Sequence, residues 1–164
     1  MTIRFGILTS SDRSSRGERP DLSGPALGNL VITQGWVVAR TTIIPDELDA
    51  IRETLSTWAD SGEVDIILTT GGTGFAPRDV TPEATRLVID RQAPGLAEAM
   101  RLESRKVTPH AVLSRAVAGI RGRVLIINLP GSPKAAVENL QVLVPILAHA
   151  VELLKEDPDA EKHH

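Results

Sequence analysis

Apolar residues along this chain keep two rhythms, short unbroken runs and helical spacing, and the two alternate. Ile66, Ile67 and Leu68 form one run, and VLIINL at 124–129 forms another. Runs of this length, bounded by polar or glycine-rich stretches, suit strands covered on both faces of a parallel sheet. Together with Ile3, Phe5, Ile7 and Leu8 they predict strands over 3–9, 36–44, 65–70, 115–120 and 123–129. Between them, apolar positions at helical spacing predict helices over 25–33 (Leu27, Leu30, Val31), from a cap at Asp46 through Leu48, Ile51, Leu55 and Trp58, from Pro82 through Ala84, Leu87 and Val88, and over 96–106. A last helix starts at Pro133 with Ser132 as N-cap, and Pro145 should kink or restart it.

Strand and helix in alternation define an α/β class, a three-layer αβα arrangement with a mostly parallel central sheet. The short link Arg121-Gly122 makes the strands around it an antiparallel pair. No internal repeat divides the 164 residues, so the expectation is one domain over 1–156, with 157–164 as a charged tail whose terminal His163 and His164 enter no metal argument.

Composition narrows the chemistry. A net charge of −3 gives no general basic field, which disfavours nucleic acid as a partner. Cysteine is absent, so disulfides, thiolate metal sites and a cysteine nucleophile are excluded. The start MTIRFGILTSSDR is too briefly apolar for a signal peptide, and no segment reads as a membrane span, which makes the cytoplasm the default. Aromatics are limited to Phe5, Trp36, Trp58 and Phe75, so a flat heterocycle has to be held by backbone groups, arginines and aliphatic contacts.

In open α/β sheets ligands bind beyond the carboxyl ends of the strands. Four loops meet that condition: 10–24, 45–47, 71–79 and 130–134. The richest is the stretch 68–85, LTTGGTGFAPRDVTPEAT. Gly71, Gly72 and Gly74 let the backbone approach phosphate oxygens with its N–H groups, and Thr73 adds a hydroxyl. Arg78 offers a cation for phosphate, Asp79 a carboxylate for magnesium or a hydroxyl, and Thr81 with Pro82 a capped helix start. The 10–24 loop is long enough to be functional and holds Ser10, Ser11, Asp12, Arg13, Arg16, Asp21 and Ser23. Pro130, Gly131 and Ser132 form a second tight loop before Lys134. Cations at Arg13, Arg78 and Lys134 suit a polyanion, and carboxylates at Asp12, Asp46 and Asp79 among them suit a magnesium–nucleotide complex, for which positioning and charge stabilisation supply most of the catalysis.

Each feature also has a plainer reading. A bare GGTG is more often a tight turn, a long polar loop is as often a surface excursion, and Asp46 in isolation is more often a helix cap, with catalytic odds of roughly one in five. GxxxxGK and GxSxG strings are absent, which excludes a P-loop NTPase and a serine-hydrolase elbow. His110 and His149 lack a second ligand at metal spacing and read as structural or surface residues.

The string 68–85, with SSDR and DLSG in the first loop, IPDE at 44–47, RAVAGI at 115–120 and LPGSPKA at 129–135, resembles the MogA/MoaB family of molybdopterin adenylyltransferases, shared with a domain of gephyrin, over nearly the whole chain. The resemblance implies molybdopterin and MgATP as substrates, with Mg2+ as the metal. The terminal phosphate of the pterin would attack the α-phosphorus, giving adenylylated molybdopterin and pyrophosphate. It implies Asp46 and Asp79 as catalytic and metal-holding acids. Gly71, Gly72, Thr73, Gly74, Pro130, Gly131 and Ser132 would then lie around the nucleotide phosphates, and Ser11, Asp12, Arg13, Ser23 and Arg78 around the pterin pocket. PGSPK departs from the PGQPK form of some members. The family usually forms trimers, sometimes hexamers, and works beside other enzymes of molybdenum cofactor biosynthesis. A pterin carrier of the same fold without turnover is the alternative, and a pyrophosphate-hydrolysing enzyme of the CinA type is a second; intact Asp46 and Asp79 argue against the first, and the length of CinA-type chains against the second.

Overall fold

The computed structural model describes residues 1–160. The strands are β1 (Arg4–Ser10), β2 (Val37–Ile44), β3 (Ile66–Thr70), β4 (Arg91–Gln92), β5 (Ala118–Arg121) and β6 (Val124–Leu129), in the sheet order β2-β1-β3-β6-β5-β4. The first four strands of that order run parallel, β5 runs antiparallel to β6, and β4 pairs antiparallel with β5, so that β5 alone is reversed. Helices are α1 (Asp12–Ser15), α2 (Ser23–Thr33), α3 (Leu48–Asp60), α4 (Thr81–Val88), α5 (Pro94–Arg105) and α6 (Pro133–Leu154), with a 3-10 turn at Pro109–Leu113. This is the expected three-layer α/β sandwich with a mostly parallel sheet; the expected antiparallel pair is β5 with β6, and β4 adds a second antiparallel pairing at the edge.

The period-two alternation of strand side chains splits the core in two. Phe5, Ile7, Ile66, Leu68, Leu125 and Ile127 meet α2, α5 and α6 through Leu27, Val31, Met100, Leu140 and Leu143. On the opposite face Leu8, Ile67 and Ile126 meet α3 and α4 through Ile51, Leu55, Trp58, Ala84 and Val88. Burial on both faces explains why β3 and β6 read as unbroken apolar runs. Gly6 is fitted to this packing, because a β-carbon there would stand 2.7 Å from the Trp58 ring.

Several local expectations are corrected. The 10–24 stretch is not structureless: Ser11 Oγ accepts a bond from Ser14 N–H and starts α1, and α2 begins at Ser23 rather than Pro25. Asp46 does not cap α3; Glu47 occupies the cap position without a side-chain bond, and Asp46 turns toward β1. Thr81 is the first residue of α4, not its cap, because its hydroxyl and N–H reach the carbonyls of Gly71 and Gly72. Pro94 starts α5 instead of breaking the chain ahead of it. β4, two polar residues long, had no pattern to reveal it. Residues 115–117 stay outside β5, since Arg115 N–H bonds the Thr73 carbonyl and Val117 N–H the Asn128 side chain.

α6 runs through Pro145 without a restart. Against the expectation from the sequence, it is long and apolar enough to cross a membrane by length and composition. Its Ala136, Leu140, Leu143, Leu147 and Val151 instead lie in the core. Within the expected tail, Ala160 is buried; residues 161–164, His163 and His164 among them, lie outside the described residues.

Candidate active site

β1, β3 and β6 end side by side, and a cavity of about 490 Å³ opens beyond their carboxyl ends. Its walls come from the expected loops: Ser11, Ser23, Asp46, Gly71, Gly72, Asp79, Gly131 and Ser132 all line it. Arg19 and Asp21 line it as well. Asp21 was visible only as one polar residue of a long loop, and Arg19 had no pattern to mark it.

The backbone at the turn out of β3 requires glycine. Gly71 has φ +93°, and a β-carbon on it would meet the Ser10 carbonyl oxygen at 2.3 Å. Gly72 has φ +70°, and its β-carbon would meet Thr81 Oγ1 at 2.4 Å. Gly131 packs against this turn, its added β-carbon falling 3.3 Å from Gly71 Cα. The two glycine loops are thus in direct contact, and the Thr70 hydroxyl, donating to the Pro130 carbonyl at 2.7 Å, ties them further. Among the described residues, the N–H groups of Gly72, Thr73, Gly131 and Ser132 make no protein hydrogen bond, so the loops offer open donors.

The two acids singled out in the sequence are held differently. Asp46 Oδ1 accepts from Ser10 Oγ at 2.6 Å and its Oδ2 from Asp12 N–H at 2.9 Å. Asp12 answers by accepting Asp46 N–H at 3.0 Å. Asp79 Oδ2 accepts from the N–H groups of Gly74 and Ala76 at 3.1 and 3.2 Å, while its Oδ1 has no protein partner among the described residues.

Asp12, Arg13 and Arg78 do not line the cavity. Arg78 pairs with Asp12 through Nε (2.5 Å) and Nη2 (2.9 Å), and this guanidinium holds the Asp12 carboxyl below the usual carboxylate range. The pair joins the first loop to the third. Arg13 is exposed, and Lys134 is exposed with Glu138 at 3.9 Å. Thr73, Gly74 and Pro130 border a smaller cavity of about 260 Å³ with Arg101, Thr108 and Leu113.

Nothing in the sequence pattern marks a role for Arg115, yet its side chain braces the 71–79 loop. It donates from Nε to the Gly74 carbonyl, from Nη2 to the Asp79 carbonyl (both 2.7 Å) and from Nη1 to both oxygens of Glu83. The guanidinium in turn holds the Glu83 carboxyl below its ordinary range. Its only signal in the sequence was a charge opening the apolar segment RAVAGI.

The cavity wall carries Asp21, Asp46 and Asp79 against one cation, Arg19. Among the described residues no cluster of three or more acidic or histidine side chains is set to cage a metal. That donor set fits magnesium, which is commonly bound by one or two carboxylates plus substrate phosphates. Asp79 Oδ1 is the open protein oxygen for it.

Open amides, helix starts and carboxylates around one cavity at strand ends are the features with which α/β proteins suit a phosphorylated ligand. The chain belongs to the family described as probable molybdopterin binding domain, whose model matches residues 6–149. It is 48% identical over 160 residues to the molybdenum cofactor synthesis protein cinnamon of Drosophila melanogaster; the match takes in 95% of this chain but 26% of cinnamon, so the chain spans about a quarter of that relative's length. Helicobacter pylori molybdopterin adenylyltransferase is 43% identical, with 93% of this chain and 88% of that protein covered. The crystal structure of the molybdopterin biosynthesis enzyme MoaB from Thermus thermophilus superposes with a TM-score of 0.90 at 51% identity, covering 95% of this chain and 98% of that one.

Proposed function

We propose that this protein is a molybdopterin adenylyltransferase, a nucleotidyltransferase of molybdenum cofactor biosynthesis that moves AMP from MgATP to the terminal phosphate of molybdopterin. A pterin phosphate oxygen bonds to the α-phosphorus, the bond from that phosphorus to the bridging oxygen breaks, and pyrophosphate leaves. The observation that carries the reading is Asp79: a carboxylate with one oxygen fixed by its own loop and the other open, on the wall of a cavity flanked by unpaired backbone N–H groups.

In this reading the N–H groups of Gly72, Thr73, Gly131 and Ser132 hold the triphosphate, and the α4 and α6 starts add favourable dipole ends. Asp79 and Asp46 hold Mg2+, which when bound neutralises charge on the phosphates and the leaving pyrophosphate. Asp46 also fixes the Ser10 hydroxyl and the Asp12 backbone, shaping the floor between the first two loops. The Asp12–Arg78 pair sits at the rim, where Arg78 can swing to an incoming pterin phosphate at the expense of an exposed ion pair. Ser11 and Ser23 shape the pterin side of the pocket, while Arg13 lies exposed off the cavity wall. The protein acts in the cytoplasm as a homo-oligomer, a trimer or hexamer, beside other enzymes of cofactor synthesis, and residues 1–156 form one domain.

The test is adenylyl transfer itself. Purified protein, molybdopterin and MgATP should yield AMP-bearing pterin and pyrophosphate, and the Asp79→Ala variant should not. Tight pterin binding without transfer, under conditions where an active enzyme works, would leave a carrier protein in place of an enzyme.

A further inference from the structure

We propose that Arg115 is a positioning residue for this site, fixing the direction of the Asp79 carboxylate by clamping both ends of the 74–79 turn. The inference rests on the adenylyltransferase reading for its kinetic consequence, and on geometry alone for its structural one.

Arg115 does not line the cavity, so it acts through the loop. Its Nε and Nη2 donate to the Gly74 and Asp79 carbonyls, each at 2.7 Å. One rigid guanidinium therefore sets the span between the two residues that bound the turn. Inside that span the Asp79 side chain folds back, Oδ2 accepting the N–H groups of Gly74 and Ala76. With the turn's ends and one carboxylate oxygen fixed, Oδ1 has one direction left to point. The Arg115 backbone adds a bond from its N–H to the Thr73 carbonyl at 2.8 Å, next to the glycine turn.

The remaining nitrogen, Nη1, holds Glu83 at 3.0 and 2.8 Å, in the first turn of α4. Glu83 thus anchors the guanidinium to the helix that the loop feeds. Lysine cannot replace it, because a single ammonium cannot reach two carbonyls and a carboxylate in the fixed fork that arginine provides.

The test compares the parent with Arg115→Lys and Glu83→Gln. Amide hydrogen exchange at Gly74 and Ala76, whose N–H groups bond Asp79, should speed up in Arg115→Lys, and to a lesser degree in Glu83→Gln. Adenylyl transfer by Arg115→Lys should fall about 10²-fold in kcat, the size of effect that a roughly 1 Å misplacement of a reacting group produces, while the Kd for molybdopterin stays at the parent value. A variant that melts earlier yet keeps the parent's kcat and the parent's exchange at 74–79 would overturn the proposal and leave Arg115 a plain structural brace. Should Arg115→Lys fail to fold, Glu83→Gln carries the test, and unchanged exchange at Gly74 and Ala76 in it counts against the clamp. If the parent itself transfers no AMP, the functional reading fails while the exchange result still decides the clamp.

Discussion

The two ends of the parallel strands each carry a prominent aspartate, and they are built to opposite purposes. Asp65, just before β3, is buried at 3% exposure and has every oxygen engaged: Oδ1 by Arg4 Nη2 (3.0 Å) and Lys155 Nζ (2.9 Å), Oδ2 by Arg4 N–H (2.8 Å) and Nε (3.2 Å). Asp79, at the far end of the same strand's loop, lines the cavity and has one oxygen held by backbone N–H groups and the other without a protein partner among the described residues. A carboxylate whose bonds are all satisfied contributes to stability and has nothing left to offer a ligand. One left half-satisfied where open amides gather is available for chemistry.

Asp79→Asn should give the largest effect. The amide oxygen can still accept from Gly74 and Ala76, so the loop keeps its shape, but the charge for the metal is gone. AMP transfer should drop about 10²- to 10³-fold, in line with loss of one charge-stabilising group, with the melting temperature near the parent's. A steady-state assay beside a thermal melt checks both halves.

Gly71→Ala comes next. A β-carbon 2.3 Å from the Ser10 carbonyl, at φ +93°, should cost about 3 kcal/mol of stability, read in a denaturant titration. Full retention of stability would mean the turn is free to rearrange. Asp65→Asn should cost about 2 kcal/mol, reduced from the value for fully buried pairs because Arg4 and Lys155 are partly exposed. In contrast to Asp79→Asn, its folded fraction should turn over at the parent rate. A loss of kcat there would erase the distinction between the two ends.

The Asp65 pair also sets an acid limit. Burial pushes this carboxyl up, but the hydrogen bonds from Arg4 and Lys155 outweigh it and leave it lowered. Its stabilisation is therefore present above the ordinary carboxylate value of about 3.9 and is lost as pH falls below that toward the folded value. Thermal melts from pH 7 to pH 2 should show a steeper acid loss in the parent than in Asp65→Asn. The smallest effect belongs to Ser132→Ala: with a cap bond as long as 3.4 Å to Ala135 N–H, about 0.5 kcal/mol should be lost from the start of α6.

Much of this is legible in the sequence alone. Both fully buried strands announce themselves as apolar runs, and the glycines at 71 and 72 sit where the chain takes positive φ. What pattern could not supply was partnership. Asp46 looks like a cap because a helix follows it, and only the parallel pairing of β1 with β2 brings Ser10 and Asp12 within reach of it. Thr81 likewise reads as a cap until the loop doubles back onto it. Arg115 stands 36 residues from Asp79, and no local spacing connects them. Asp12 and Arg78 read as ligands for a polyanion, and their mutual pairing depends on two loops meeting across 66 residues of sequence.

The most direct test of the central claim, that the open oxygen of Asp79 serves a magnesium-bound nucleotide, is calorimetric titration of ATP into the parent and into Asp79→Asn, each with magnesium and with chelator. The account predicts that magnesium tightens ATP binding to the parent by at least about tenfold, a difference of roughly 1.4 kcal/mol, and that Asp79→Asn erases the gain. An equal magnesium enhancement in both proteins would contradict it and move the metal away from this carboxylate.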